Sequence, residues 1–141
     1  MITVLIQGRS DVPEVPGVTV DHHNLSHHGQ DEEKIKQLIK IETELMKSFG
    51  ALVGGLKSKQ EGEGTLLDNT SVLFGSNLGN ANAHDWRNLP VMLAGGGFEH
   101  GQHVAFDKDN NKRLCNLFVT MLQKSGLDIE QFGTSDGMLD W

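Results

Sequence analysis

Histidines crowd one short segment of this chain. Four of the seven histidines lie within Asp21–Gly29, which reads DHHNLSHHG. His23 and His27 are four positions apart, so a helix would place both imidazoles on one face, within reach of a common ion. Zinc sites use this spacing, but two ligands do not complete a site. The alternative is a group of surface histidines, or of histidines hydrogen-bonded to backbone.

A second group of polar side chains lies within Ser71–Gly97. Two apolar runs, Val72–Phe74 and Val91–Ala94, flank a polar connection that carries His84 and Arg87. Apolar runs of this length, bounded by turn residues, are typical of strands buried on both faces. In open α/β sheets, ligands bind in the loops at strand ends. The connection is therefore a candidate site, and the alternative is a solvated loop of ordinary turn residues.

Two amphipathic helices would position these segments. Apolar residues recur at three- and four-residue steps through Asp31–Leu56, and acidic residues crowd its start, where the helix dipole favours anions. Leu114–Ser125 repeats the pattern over a shorter stretch, and Gly126 ends it. Met1–Gln7 is apolar and β-branched, which predicts a strand. Together these patterns predict a single α/β domain over residues 1–141, with a mainly parallel sheet flanked by helices.

Composition narrows the class of partner. The 141 residues suffice for one domain with a core, and the formal net charge is -7. This acidic balance argues against a nucleic acid or an anionic membrane as the main partner. No apolar run is long enough to span a bilayer, so we expect no membrane insertion. The first residues also lack the pattern that would predict a signal peptide.

Two segments resemble a known superfamily. TLLDNTSVLFGSNLGN at Thr65–Asn80, and the AHDWRNLPVMLAGGG that follows, resemble the C-terminal part of the alkaline phosphatase-like superfamily, which includes sulfatases and cofactor-independent phosphoglycerate mutases. In that superfamily a metal-binding histidine precedes a proline by six residues, as His84 precedes Pro90 here. An Asp-x3-His pair also precedes its long helix, at the positions of His23 and His27. The resemblance implies a metal-dependent phosphate or sulfate ester hydrolase.

A narrower resemblance covers Val20–Gly137. HHNLSHHG, DEEKIKQLIKIETE, GEGTLLDNTSVLFGS and NLPVMLAGGG together resemble the bacterial family described as domain of unknown function 1552. Its members are typically larger and exported, so the resemblance implies that this chain corresponds to their C-terminal segment. The N-terminal part of the same protein would then be a partner. Exposed apolar surface or sheet edge would also favour self-association.

The same resemblance implies a metal site and its limits. Asn77 and Leu78 stand where the superfamily has an Asp-His metal pair, and leucine does not ligate metals, so the second of the two metal sites is lost. The remaining site would hold one divalent metal ion, zinc or another. Its implied ligands are His23, His27 and His84, to which His28, Asp21 or Asp85 would add a ligand or a hydrogen-bond acceptor behind one.

Catalysis by this chain alone is not expected. The superfamily's nucleophile lies in a part that this sequence does not match, and the catalytic residues are therefore unknown. Arg87 would contact an anionic substrate oxygen through its fork of donors. The first alternative is a degenerate, non-catalytic binding or structural module of an exported protein. The second is an unrelated cytosolic binding module in which the histidines are incidental.

Overall fold

The computed structural model describes residues 1–6 and 11–139. In chain order the helices and strands of this part are α1 (His22–Ser26), α2 (Glu32–Lys57), β1 (Gln60–Glu61), β2 (Gly64–Thr65), β3 (Val72–Gly75), β4 (Val91–Ala94) and α3 (Leu114–Lys124). They fold into two compact units. Unit 1 comprises the described residues of Met1–Ala51 and Asn77–Leu89, and unit 2 those of Leu52–Ser76 and Pro90–Trp141.

Both helices predicted from apolar periodicity are confirmed. The first spans Glu32–Lys57 and the second Leu114–Lys124. Asp31 is the residue before the long helix, and its side chain caps the backbone N–H groups of the first turn. Asp31 Oδ1 accepts hydrogen bonds from the N–H groups of Glu33 and Lys34, at 2.9 and 3.0 Å. This is the contact that favours Asp before a helix.

The core of unit 1 joins α1 to the first half of α2. Its buried members are Val18, Leu25 and Ile41, and the half-buried side chains packed against them are Val15, Val20, Leu38 and Leu45. Leu25 of α1 is 0% exposed. A helix as short as α1 is not stable by itself, because nucleation is costly, so burial of Leu25 is what holds it.

The predicted mainly parallel sheet flanked by helices is wrong. Among the described residues, β1 pairs with β2 and β3 pairs with β4, each as a two-stranded antiparallel sheet. Val72 faces Ala94, and Gly75 faces Val91. Alternate residues of β3 are exposed, so this strand is not buried on both faces. Short apolar runs fit either arrangement, because periodicity does not reveal the direction of the partner strand.

The strand predicted at Met1–Gln7 is also not observed. Residues 1–6 form no strand, and their side chains are exposed; Gln7 lies outside the described residues. β-branched residues favour strands because they pack against cross-strand neighbours, and residues 1–6 pair with no strand in the described part of the chain. No helix in the described part of the chain is long and apolar enough to cross a bilayer.

In unit 2, α3 holds the C-terminal segment through two buried polar side chains. The amide of Asn116 makes two hydrogen bonds with Asp136. Asn116 Nδ2 donates to Asp136 Oδ1 at 2.8 Å, and Asn116 Oδ1 accepts the backbone N–H of Asp136 at 3.1 Å. The Thr120 hydroxyl accepts the N–H of Leu139 at 2.9 Å. Buried polar groups need such partners, so these bonds fix the path of the segment.

Candidate metal site

The first two histidines of the site lie in α1 and at its C-terminal end. Asp21 begins the helix: its carboxylate accepts the backbone N–H of Asn24 at 3.0 Å and the Asn24 side-chain amide at 2.7 Å. These bonds favour the charged carboxylate and hold the pKa of Asp21 below its ordinary value. His23 lies within the helix. His27 ends it, and its N–H donates to the His23 carbonyl at 3.2 Å.

The third histidine belongs to a tightly hydrogen-bonded loop. The Asn80 side chain caps the 3-10 turn Ala81–Ala83 by accepting the N–H of Ala83. Asn80 and Asp85 exchange two backbone hydrogen bonds, at 2.9 and 3.2 Å, which close the loop around His84. His84 takes the left-handed conformation, with φ 51° and ψ 33°. This conformation is uncommon for residues other than glycine, although histidine is among those that adopt it more often.

The three imidazoles are neighbours. The His27 ring centroid lies 4.8 Å from that of His23 and 4.6 Å from that of His84, with interplanar angles of 71° and 67°. His27 therefore contacts both other rings edge-on. Partial burial lowers the pKa of His27, and the charges of His84 and His23 lower it further. A lowered pKa favours the neutral imidazole, which is the form that ligates metals.

The trio is close-packed but is not a preformed ligand set. Across residues 1–6 and 11–139, no three His, Cys, Asp or Glu side chains are arranged as a metal-binding group. His28, the fourth ligand in the prediction, has another partner. Its Nδ1 accepts the backbone N–H of Gln30 at 3.1 Å, which leaves Nε2 for any further role.

Arg87 is engaged by its own loop. Its backbone N–H, Nε and Nη2 donate to the carboxylate of Asp85 at 2.9, 2.9 and 2.8 Å. The hydrogen bonds from the guanidinium, and then the one from the backbone N–H of Arg87, lower the pKa of Asp85 to about 2. The fork that would receive a substrate anion is therefore already paired with a carboxylate, although the side chain is 72% exposed. Anion binding by Arg87 stays a prediction.

Sequence reasoning missed Asn82. Its Oδ1 accepts the backbone N–H of Gly29 at 2.9 Å and so joins the histidine-rich segment to the loop of His84. Residue type gave no sign of this contact, because asparagine is an ordinary turn residue. Asn77 and Leu78, the positions of the missing second metal site, are exposed and half-buried respectively.

No protein-family model matches the chain, and neither a curated protein nor a solved structure matches it. Function has to be argued from the chemistry and geometry of the site itself.

Proposed function

We propose that this chain binds one divalent metal ion through His23, His27 and His84, and that it does not catalyse a reaction by itself. Zinc is the expected ion, because neutral imidazoles suit it and three of them leave one coordination position open. The observation that carries the proposal is the contact of the His27 ring with both other rings.

The spacing of the rings supports a common ion. Zinc–nitrogen bonds of about 2.0–2.1 Å in a tetrahedral site place the ring centroids of two imidazole ligands about 5 Å apart. The observed centroid separations are 4.8 and 4.6 Å. Binding would therefore require the imidazoles to turn about their side-chain torsions, with little movement of the backbone.

A fourth ligand would come from His28 or from water. His28 has only Nε2 to offer, because its Nδ1 is hydrogen-bonded to Gln30. Water is the simpler choice, since His23 and His84 are exposed. A bound ion would polarise a phosphate or sulfate ester or lower the pKa of that water.

The serine nearest the trio in sequence does not support catalysis. The Ser26 hydroxyl is buried and donates to the carbonyl of His23 at 2.8 Å, inside α1. It is a helix-backbone contact rather than an activated nucleophile. The resemblance to domain of unknown function 1552 supports the same view, since the superfamily's nucleophile lies in a part that this sequence does not match. We propose that the catalytic partner is the N-terminal part of the same protein, which would supply the nucleophile.

A structural role for the metal is the second candidate. The core cluster of unit 1 is drawn from residues between Val15 and Leu45, and none of its members belongs to the loop of His84. An ion bound to His27 and His84 would fasten that loop to α1. An ion that binds the folded chain and not the unfolded chain would then raise the free energy of unfolding.

The proposal is tested by the metal content of untagged protein purified without chelator. We expect about one zinc per chain in the wild type and none in His27→Ala. His103→Ala is the matched control, because His103 is an exposed histidine of unit 2, and it should keep its zinc. A metal-free wild type, or a His27→Ala protein that keeps its zinc, would refute the three-histidine site.

A further inference from the structure

Asn82 joins the two segments that carry the trio. Its side-chain oxygen accepts the backbone N–H of Gly29 at 2.9 Å. Gly29 follows His27 by two positions, and Asn82 precedes His84 by two positions. The hydrogen bond therefore lies beside both ring-bearing residues and bridges segments that are far apart in the sequence.

We infer that Asn82 is a positioning residue that preorganises the metal site by holding His84 against His27. This inference rests on the proposed metal binding. Asn82 is not one of the proposed ligands, and its side-chain oxygen is hydrogen-bonded to Gly29. It fixes the separation of the two backbones that carry ligands, so its effect is on metal affinity.

The backbone on each side of this bond is shaped for it. Gly29 has φ 56°, in the left-handed region, and this conformation is easily adopted only without a Cβ. Asn82 sits in the 3-10 turn that Asn80 caps, and the N–H of His84 donates to the carbonyl of Ala81 at 3.2 Å. The backbone of the turn therefore fixes the position of Asn82 relative to that of His84.

Among the residues that the structure describes, the core cluster of unit 1 does not include the loop of His84. The cluster contains Leu25, which anchors α1. Without the bond to Gly29, the loop would have more freedom before the metal binds, and binding would have to restrict it. Hydrogen-bonding partners that orient metal ligands typically change metal affinity by about 10–100-fold. We expect Asn82→Ala to weaken zinc binding by about 10-fold.

The test compares three variants with the wild type. Asn82→Ala removes the acceptor, Asn82→Asp keeps an acceptor oxygen, and Asn77→Ala is the matched control in the same segment of unit 1. Zinc affinity is measured by competition with a chromophoric chelator. In parallel, hydrogen exchange of the Gly29 amide is measured in metal-free protein. This second readout reports the bond itself, and circular dichroism shows that each variant is folded.

We expect Asn82→Ala to lose zinc affinity and to exchange its Gly29 amide faster, while Asn82→Asp and Asn77→Ala keep at least wild-type affinity. Wild-type affinity in folded Asn82→Ala would overturn the inference, as would equal losses in the Ala and Asp variants. If Asn82→Ala does not fold, a loss of affinity in folded Asn82→Asp overturns it. A wild type that binds no zinc refutes both the proposed function and this inference. A wild type that binds zinc as tightly as folded Asn82→Ala refutes this inference alone.

Discussion

The ring of His27 lies edge-on against the ring of His84, with centroids 4.6 Å apart, although the two residues come from different kinds of local structure. His27 ends α1, whose position is set by the buried side chain of Leu25. His84 is a left-handed residue at the end of a 3-10 turn. Both belong to unit 1, so the contact is made within one compact unit.

The stability of metal-free protein should fall as the pH drops through the titration of His27. Its pKa is held below the ordinary value of 6.5, chiefly by burial and then by the charges of His84 and His23. The unfolded chain then binds more protons than the folded chain between the lowered pKa and 6.5, so stability rises with pH across this window. The stability that the neutral His27 contributes is lost progressively as the pH falls from 6.5 through the pKa of His27 in the folded chain.

Urea unfolding at a series of pH values, with chelator present, measures this effect. His27→Gln should flatten the dependence below 6.5, because it removes the titrating group. His103→Gln is the control and should keep the wild-type slope. An identical slope in wild type and His27→Gln would contradict the prediction.

Leu25→Ala should destabilise unit 1 and weaken metal binding together. Leu25 is 0% exposed and lies in α1, which contains His23 and ends at the C-cap residue His27. Truncating such a side chain removes buried area and leaves a cavity, which costs about 2–5 kcal/mol. Denaturant unfolding measures the loss, and chelator competition measures the zinc affinity. Ile39→Ala is the control: Ile39 is 55% exposed, so its change should stay within about 0.5 kcal/mol. Equal effects of the two substitutions would argue against the role of Leu25.

The helices were predictable from the sequence because their evidence is local. The three- and four-residue steps of apolar side chains, together with Asp31 before the first turn, suffice to define α2. Strand pairing is different, because it depends on a partner elsewhere in the chain. Val72–Gly75 looks the same in sequence whether its neighbour is parallel or antiparallel, and only the structure reveals the register with Val91–Ala94.

The histidine trio was predicted from a family resemblance, while its geometry was not. Spacing alone allowed His23 and His27 to share a face, but placing His84 beside them needed the resemblance. Neither source indicated the left-handed conformation of His84 or the bond between Asn82 and Gly29. Both features depend on how a loop meets a helix distant in sequence, and tertiary contacts of that kind leave no periodic pattern.

Thr120→Val should loosen the C-terminal segment without changing metal binding. The substitution preserves shape but removes the hydroxyl that accepts the N–H of Leu139. Leu139 is half-buried, so an unsatisfied N–H there should cost at most what a fully buried donor costs, about 1–3 kcal/mol. Hydrogen exchange of the Leu139 amide should accelerate, while zinc affinity stays at the wild-type value because the trio belongs to unit 1. Thr43→Val, at an exposed helix position, is the control and should leave this exchange unchanged. A protected Leu139 amide in Thr120→Val would refute the role of the hydroxyl.

Gly79→Ala should distort the loop that carries His84. A Cβ at Gly79 would collide with the carbonyl oxygen of Arg87 and come within 3.0 Å of that of Asn88. Both obstacles are backbone atoms, so the loop itself must shift, at a cost of about 1–3 kcal/mol. Because Gly79 also donates its N–H to the Asp85 carbonyl at 2.8 Å, the shift should move His84 away from His27 and weaken zinc binding.

The matched control for this substitution is Gly50→Ala. Gly50 lies in α2, and an added Cβ there meets nothing within 4 Å. Alanine is the better helix former by about 0.8–1.0 kcal/mol, so Gly50→Ala should raise stability and leave zinc affinity unchanged. Denaturant unfolding measures the stability of both variants, and chelator competition measures their zinc affinity. If Gly79→Ala binds zinc as tightly as Gly50→Ala, the loop tolerates the Cβ and its hydrogen bonds do not position His84.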